Sequence, residues 1–219
     1  MKTERALIVL LAGLWLLAAL SAQQPGSGVI GWYNGEWQSG IPGLANWYLG
    51  PDRFARVYDE FEVPDGGWTI VGVFSDNGLY QFPPVTHAAW EIRRDMAPQR
   101  SGRVLAKDIS PAAQKPDPSV TPDRYPAHEA AKHFRIQVDG LQVRLPAGRY
   151  WLSVAPVGDG ESFLSATRGA GAIGTGKGGA GLALVHGLKQ PDFVPADVVA
   201  GQGRGGIAQH FSQGVVIAK

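Results

Sequence analysis

The stretch HFRIQVDGLQVRL, residues 133–145, decides how the chain folds. Phe134, Ile136 and Val138 alternate with Arg135 and Gln137, the period-two pattern of a strand with one buried face. Asp139-Gly140 interrupts, and Leu141, Val143 and Leu145 resume the alternation. Asp-Gly favours a two-residue hairpin turn, because both central positions of that turn need positive φ. The stretch therefore predicts two antiparallel strands joined at Asp139-Gly140. Pro146 to Gly148 then turn the chain into RYWLSVAPV, residues 149–157.

The same pattern extends on both sides. In VYDEFEV (57–63), Val57, Phe61 and Val63 share one face, with Tyr58, Glu60 and Glu62 on the other. PDGG (64–67) is a turn, and WTIVGVF (68–74) is apolar on both faces, as a central strand should be. THAAWEIR (86–93) sends Ala88, Trp90 and Ile92 inward, with His87, Glu91 and Arg93 outward. HFSQGVVIAK (210–219) supplies a last strand. Many short strands with regular turn signals imply an all-β chain, here a two-sheet antiparallel β-sandwich, jelly-roll-like, with long loops. Residues 98–130 break the rhythm. A strand over 103–109 is expected there, but the rest is proline-rich and polar and reads as a surface excursion. PAHEAAKHF (126–134) alone has helical character after the N-terminal segment.

That N-terminal segment carries Lys2 and Arg5, then an apolar run from 6 to 20, then the small residues Ser21 and Ala22. The order is that of a secretory signal peptide over residues 1–22, and the run is short for a bilayer span. Residues 23–219 are then expected to form one domain of just under 200 residues, exported and free of the membrane once the signal is removed. The sequence has no cysteine, so burial must do what disulfides do in many exported domains. Without Lys2, Glu4 and Arg5 the formal charge falls from +1 to zero, which argues against nucleic acid or an anionic membrane as partner.

Four motifs invite chemistry. Gly171, Gly176 and Lys177 match the spacing of a phosphate-binding loop, but Gly178 stands where a magnesium-binding hydroxyl belongs, and GGAGLALVHG is a poor helix. The segment reads as a glycine-rich surface loop. HEAAKH (128–133) separates its histidines by five residues, about 140° around a helix, whereas a zinc pair needs four. Strict alternation places Asp59 on the inward face with Val57 and Phe61, so it must be paired or hydrogen-bonded. No cofactor is expected unless it is calcium, for which Asp59 and Asp76 are the candidate ligands. Asp76-Asn77-Gly78 is read more simply as a turn. Finally, WYNGEWQSGIPGLANWY (32–48) crowds Trp32, Tyr33, Trp37, Trp47 and Tyr48 into a Gly- and Asn-rich segment. These five are the candidate ligand-binding residues, since exposed aromatics beside amides stack on sugar rings. The competing and preferred reading has them capping an open edge of the core.

VYDEFEVPDGGWTIVGVFS, AAWEIR, FRIQVDGLQVRLPAGRYWLSVAPV and the C-terminal HFSQGVVIAK together resemble a group of exported bacterial β-sandwich proteins, related to domains that carry PEP-CTERM sorting signals. The carrying residues are Asp59, Glu60 and Phe61; Gly67 and Trp68; and Ala147, Gly148, Tyr150, Trp151 and Leu152, with GAGAIG (169–174) similar to a Gly-Ala-Asn-Ala segment that often follows. The chain ends at Lys219 without the sorting helix, which favours free secretion or periplasmic residence over anchoring. The resemblance implies a sandwich and supplies no catalytic residues. There is no G-x-S-x-G elbow, and no carboxylate pair can be placed from sequence alone. The expected function is a non-enzymatic binding or structural module of the cell exterior, with a glycan, an extracellular polymer or a cell-surface protein as ligand. The rival is a polysaccharide-active, glycoside hydrolase-like enzyme on the same scaffold.

Overall fold

A computed structural model describes residues 28–38, 43–120, 131–174, 183–187, 190–196 and 210–219. Residues 1–22, read above as a signal peptide, and Gly176, Lys177 and Gly178 of the phosphate-loop match lie outside the described residues. The strands are β1 (Val29–Tyr33), β2 (Leu44–Ala45), β3 (Trp47–Gly50), β4 (Arg53–Val63), β5 (Trp68–Tyr80), β6 (His87–Arg94), β7 (Arg103–Pro111) and β8 (Ala113–Pro116). They continue with β9 (Lys132–Leu145), β10 (Gly148–Pro156), β11 (Glu161–Leu164), β12 (Ala166–Thr167), β13 (Leu184–Gly187), β14 (Gln190–Pro195), β15 (His210–Phe211) and β16 (Gln213–Ile217). The chain is all-β, its paired strands are antiparallel, and its sheets pack face to face as a sandwich.

The first sheet is built on β5. One edge of β5 pairs with β9 along its length. The other pairs with β16 over residues 70–75 and with β11 over residues 77–80. β1 lies beyond β16, β2 beyond β11, and β8 beyond β9. The second sheet runs β14-β13-β4-β10-β6-β7, with β3 also on β4. The turns at 64–67 and 146–148 therefore carry the chain from one sheet to the other.

Asp139-Gly140 does not make a hairpin. β9 continues through it, still paired with β5: Gly72 faces Asp139, while Ile70 faces Val143. The residues between form a bulge with Gly140 at φ 78°, and the Gln137 side-chain amide donates to Asp139 Oδ1 at 2.7 Å. An Asp-Gly spacer shifts the phase of the alternation whether the chain reverses or bulges. Both halves of β9 thus face the same core, with Ile136 and Val138 buried and Leu141 and Val143 packed beside them. Thirteen-residue β5 offers an edge long enough to pair with all of β9, which decides between the two outcomes.

The 98–130 stretch is less of an excursion than expected. β7 pairs with β6 along its length and β8 pairs with β9, while residues 121–130 lie outside the described residues. The helical expectation over 126–134 gives way at its end, where β9 starts at Lys132.

The main core lies between the sheets. Phe61 sits at its centre, with ring centroids of Trp32 at 5.2 Å, Tyr150 at 5.7 Å and Trp68 at 6.5 Å. The Tyr150 hydroxyl reaches back to the Pro146 carbonyl at 2.8 Å, fastening the crossover between sheets. A smaller cluster around Val57, Leu164 and Phe211 fills the far end.

Asp76 is in mid-strand, and the turn expected at 76–78 is absent. Here β5 exchanges one partner strand for another. The Asp76 N–H donates to Ser212 O and its carbonyl accepts from Ser165 N–H, both at 2.8 Å, while Ser212 N–H donates to Ser165 O at 2.7 Å. The Asp76 side chain locks this junction on the outer face of the sheet. Arg135 donates through Nε to Oδ1 at 2.7 Å and through Nη2 to Oδ2 at 2.8 Å. The Tyr33 and Ser212 hydroxyls add bonds to Oδ2 at 2.9 and 2.8 Å. The guanidinium lies 4.1 Å over the Phe74 ring. Burial opposes the charge on Arg135, yet Asp76 holds its pKa above the usual arginine value. Burial and the Asp76 charge push the Tyr33 hydroxyl well above the ordinary tyrosine range.

Removing one partner of such a pair leaves an unmatched buried charge, at a cost of about 3–5 kcal/mol. Arg135→Met should lose stability on that scale in urea denaturation, and the double variant Arg135→Met/Asp76→Asn should recover much of it. Additive losses would show that the two side chains act independently.

Candidate functional site

Alternation on β4 sends Arg56 and Tyr58 to the outer face of the second sheet, and the same rule on β6 sends Glu91 and Arg93 there. β10 separates the two strands. Its residue paired with Glu91 is Ser153, small and buried, so the carboxylate can cross to β4. Glu91 Oε2 accepts from Arg56 Nη1 at 2.9 Å and from the Tyr58 hydroxyl at 2.8 Å, and Oε1 meets Arg93 Nη2 at 2.8 Å. Arg93 Nη1 also donates to the Ser101 carbonyl at 2.8 Å. Glu91, expected at the surface, is thus only 3% exposed. Burial, with help from the Glu91 charge, pushes the Tyr58 hydroxyl up to about 12, with the two arginines pulling the other way.

The β13–β14 end of the same sheet folds back over part of this face. Leu184 of β13 and Phe193 of β14 join Tyr58, Met96 and Trp151 in an apolar cluster. Arg93 lies 5.3 Å over the Phe193 ring, and the His186 and Phe193 rings stack at 4.3 Å. The uncovered part is a groove of about 400 Å³. Tyr48 and Phe54 form its aromatic wall, ring centroids 6.2 Å apart, with His186 edge-on to Phe54 at 5.0 Å. Arg56 and Glu91 form the floor, with the Arg56 guanidinium 5.1 Å over the Tyr48 ring. Lys107, Asp108 and Ile109 of β7 line the opposite side. No protein-family profile, curated protein or solved structure matches this chain.

Of the five aromatic candidates in the sequence, Tyr48 alone lines this groove, and it is half-buried, as is Trp47. Trp32 is in the main core. Tyr33 is tied to Asp76, and Trp37 is buried with its ring 4.6 Å from that of His133. Those three pack the protein, as the core-capping reading expects. The sequence drew no attention to Arg56, Arg93, Lys107 or His186. The one available signal was the Glu91–Arg93 alternation on a strand that looked solvent-facing.

Gly171, Ala172, Ile173 and Gly174 form a turn bound to β1, with Tyr33 and Ile173 exchanging backbone bonds of 3.0 and 2.9 Å. The two calcium candidates lie apart in role. Asp76 has both oxygens engaged by Arg135, Tyr33 and Ser212. Asp59 is 1% exposed, inside the sandwich between the two apolar clusters, and accepts the Phe211 N–H at 2.9 Å. Among the described residues, no three His, Asp or Glu side chains come together as a metal-binding group.

Burial raises the Asp59 pKa to about 7, with the Phe211 amide and the neighbouring Asn34 and Gln213 side chains working in the opposite direction. A carboxyl raised in the folded state stabilises most below its unfolded value near 4 and loses that contribution as pH climbs through 7. The penalty at neutral pH is on the order of 4 kcal/mol. Asp59→Asn should therefore be more stable than wild type at pH 8, with the difference closing below pH 4. Chemical denaturation across that range checks it, and parallel curves would contradict the assignment.

Proposed function

We propose that the protein is a non-enzymatic binding module that seats a saccharide in the groove on the outer face of its second sheet. The groove itself carries this reading: about 400 Å³, within the range of small-molecule sites, with an aromatic wall and an ordered polar floor. Tyr48 and Phe54 supply faces for the C–H surface of a sugar ring, while Arg56 and Lys107 supply donors for its oxygens. The floor is held in advance by the two arginine contacts on Glu91, so ligand binding need not order it.

The carboxylates favour binding over hydrolysis. The acids lining the groove are Glu91 and Asp108. Both oxygens of Glu91 are held by cations, and Asp108 turns back on its own strand, accepting the Ile109 N–H at 2.8 Å. A glycosidase needs one such group free to give a proton and the other to attack or to activate water.

Binding is tested by screening the protein, from residue 23 onward, on a glycan array. Tyr48→Ala should weaken capture of any retained glycan about tenfold, a difference of about 1.4 kcal/mol. Retention of no glycan would remove the reading, and release of new reducing ends from a bound polysaccharide would favour the hydrolase alternative. Residence outside the cell and kinship with the exported sandwich group belong to the same proposal. Expressed in a bacterium, the full chain should appear in the periplasm or medium with a new N-terminus at Ala22 or Gln23, read by intact mass.

A further inference from the structure

We infer that the saccharide taken by this groove is acidic, carrying a carboxylate as a uronate does. The inference rests on the binding reading above and adds the charge of the ligand. Five charged side chains line the groove: Arg56, Arg93 and Lys107 against Glu91 and Asp108. The balance leaves one positive charge in excess, carried by the two arginines that share the single Glu91 carboxylate. Glu91 is consumed by Arg56 and Arg93. Asp108 faces its own strand, with Oδ1 on the Ile109 N–H and Oδ2 3.4 Å from the Ser110 hydroxyl.

Lys107 adds a cation that no carboxylate among the described residues pairs. It stands directly across from Glu91 in the β6–β7 register, the position where an ion pair would be expected. Glu91 has instead turned toward β4, and Lys107 makes no ion pair among the described residues. Its side chain is exposed at the groove wall. On the floor, Arg56 gives Nη1 to Glu91, and its Nε is buried without a partner. An anion entering between Lys107 and Arg56 would meet two cations, while the nearest acid is already neutralised. Ile109 and Leu105, 47% and 36% exposed on the same face of β7, extend an apolar margin past the lysine. A planar carboxylate on a ring with one C–H face matches cations beside aromatic and aliphatic walls.

The test uses calorimetry with a galacturonic acid tetramer, an alginate tetramer, the methyl ester of the first, and a neutral galactose tetramer. At least one acid tetramer should bind at low salt, weaken as salt is raised, and lose about tenfold in affinity with Lys107→Met. The methyl ester should bind at least tenfold less tightly than its parent acid and lose much less than that acid does with the same substitution. Lys107 is exposed on an edge strand, so the variant keeps its fold, and circular dichroism would verify this. Binding of the neutral or esterified tetramer as tightly as the acids, or an unchanged affinity in Lys107→Met, would overturn the inference while leaving the binding reading intact. Failure of both acid tetramers, with a neutral glycan retained on the array, would do the same. Failure of every saccharide in both experiments would overturn both.

Discussion

The ion pair between Asp76 and Arg135 fixes the first sheet. β5 must pair with two different strands along one edge, and the gap between them falls at Asp76. Backbone groups at such a seam are the ones most at risk of being left without partners. Three short backbone bonds among Asp76, Ser165 and Ser212 close it, and the Asp76 carboxylate ties Ser212 and Tyr33 to the same spot. Arg135 reaches it from β9, on the opposite edge of β5. One side chain thereby joins β1, β5, β9 and the approach to β16. A buried charge pair is a costly choice for stability alone, and here its geometry is completed by further hydrogen bonds from Tyr33 and Ser212 to the carboxylate.

A second buried acid has a different role. Glu91 draws Arg56, Arg93 and Tyr58 onto one point of the outer face, across β10. The cluster supports Phe193 above it and leaves the groove beside it. The two acids share a design: a carboxylate on a central strand, gripped by arginine, under aromatic rings. At Asp76 the assembly is closed over, whereas at Glu91 one flank stays open to solvent.

Much of the fold was legible in alternation. Val57, Phe61, Val63, Trp90, Ile92, Ile136 and Val138 all lie in the core, as their spacing predicts. Asp59 is buried for the same reason. Alternation reports a change of phase, however, and leaves open its cause, so the bulge at Gly140 was read as a reversal. Nor does it reveal that the β13–β14 end of the second sheet folds back over its own outer face. Glu91 and Arg93 sit on the polar face of β6 and looked solvent-bound, because the strands that cover them lie about a hundred residues downstream. Asp76-Asn77-Gly78 has turn composition, yet mid-strand contacts prevailed because Arg135 and Asn46 satisfy its polar atoms. Of the candidate site, only Tyr48 could be picked from sequence, through its aromatic neighbourhood, since the groove is assembled from five separated strands and a neighbouring loop.

The pairing of β1 with β16 brings residues 29–33 against residues 213–217, and β16 is wedged between β1 and β5. Ribosomal synthesis delivers those two partners far apart in time. Until the later segment arrives, β5 has half of one edge bare and Trp32 has no finished wall to rest on. A chain of this topology cannot complete its first sheet until those two distant segments meet.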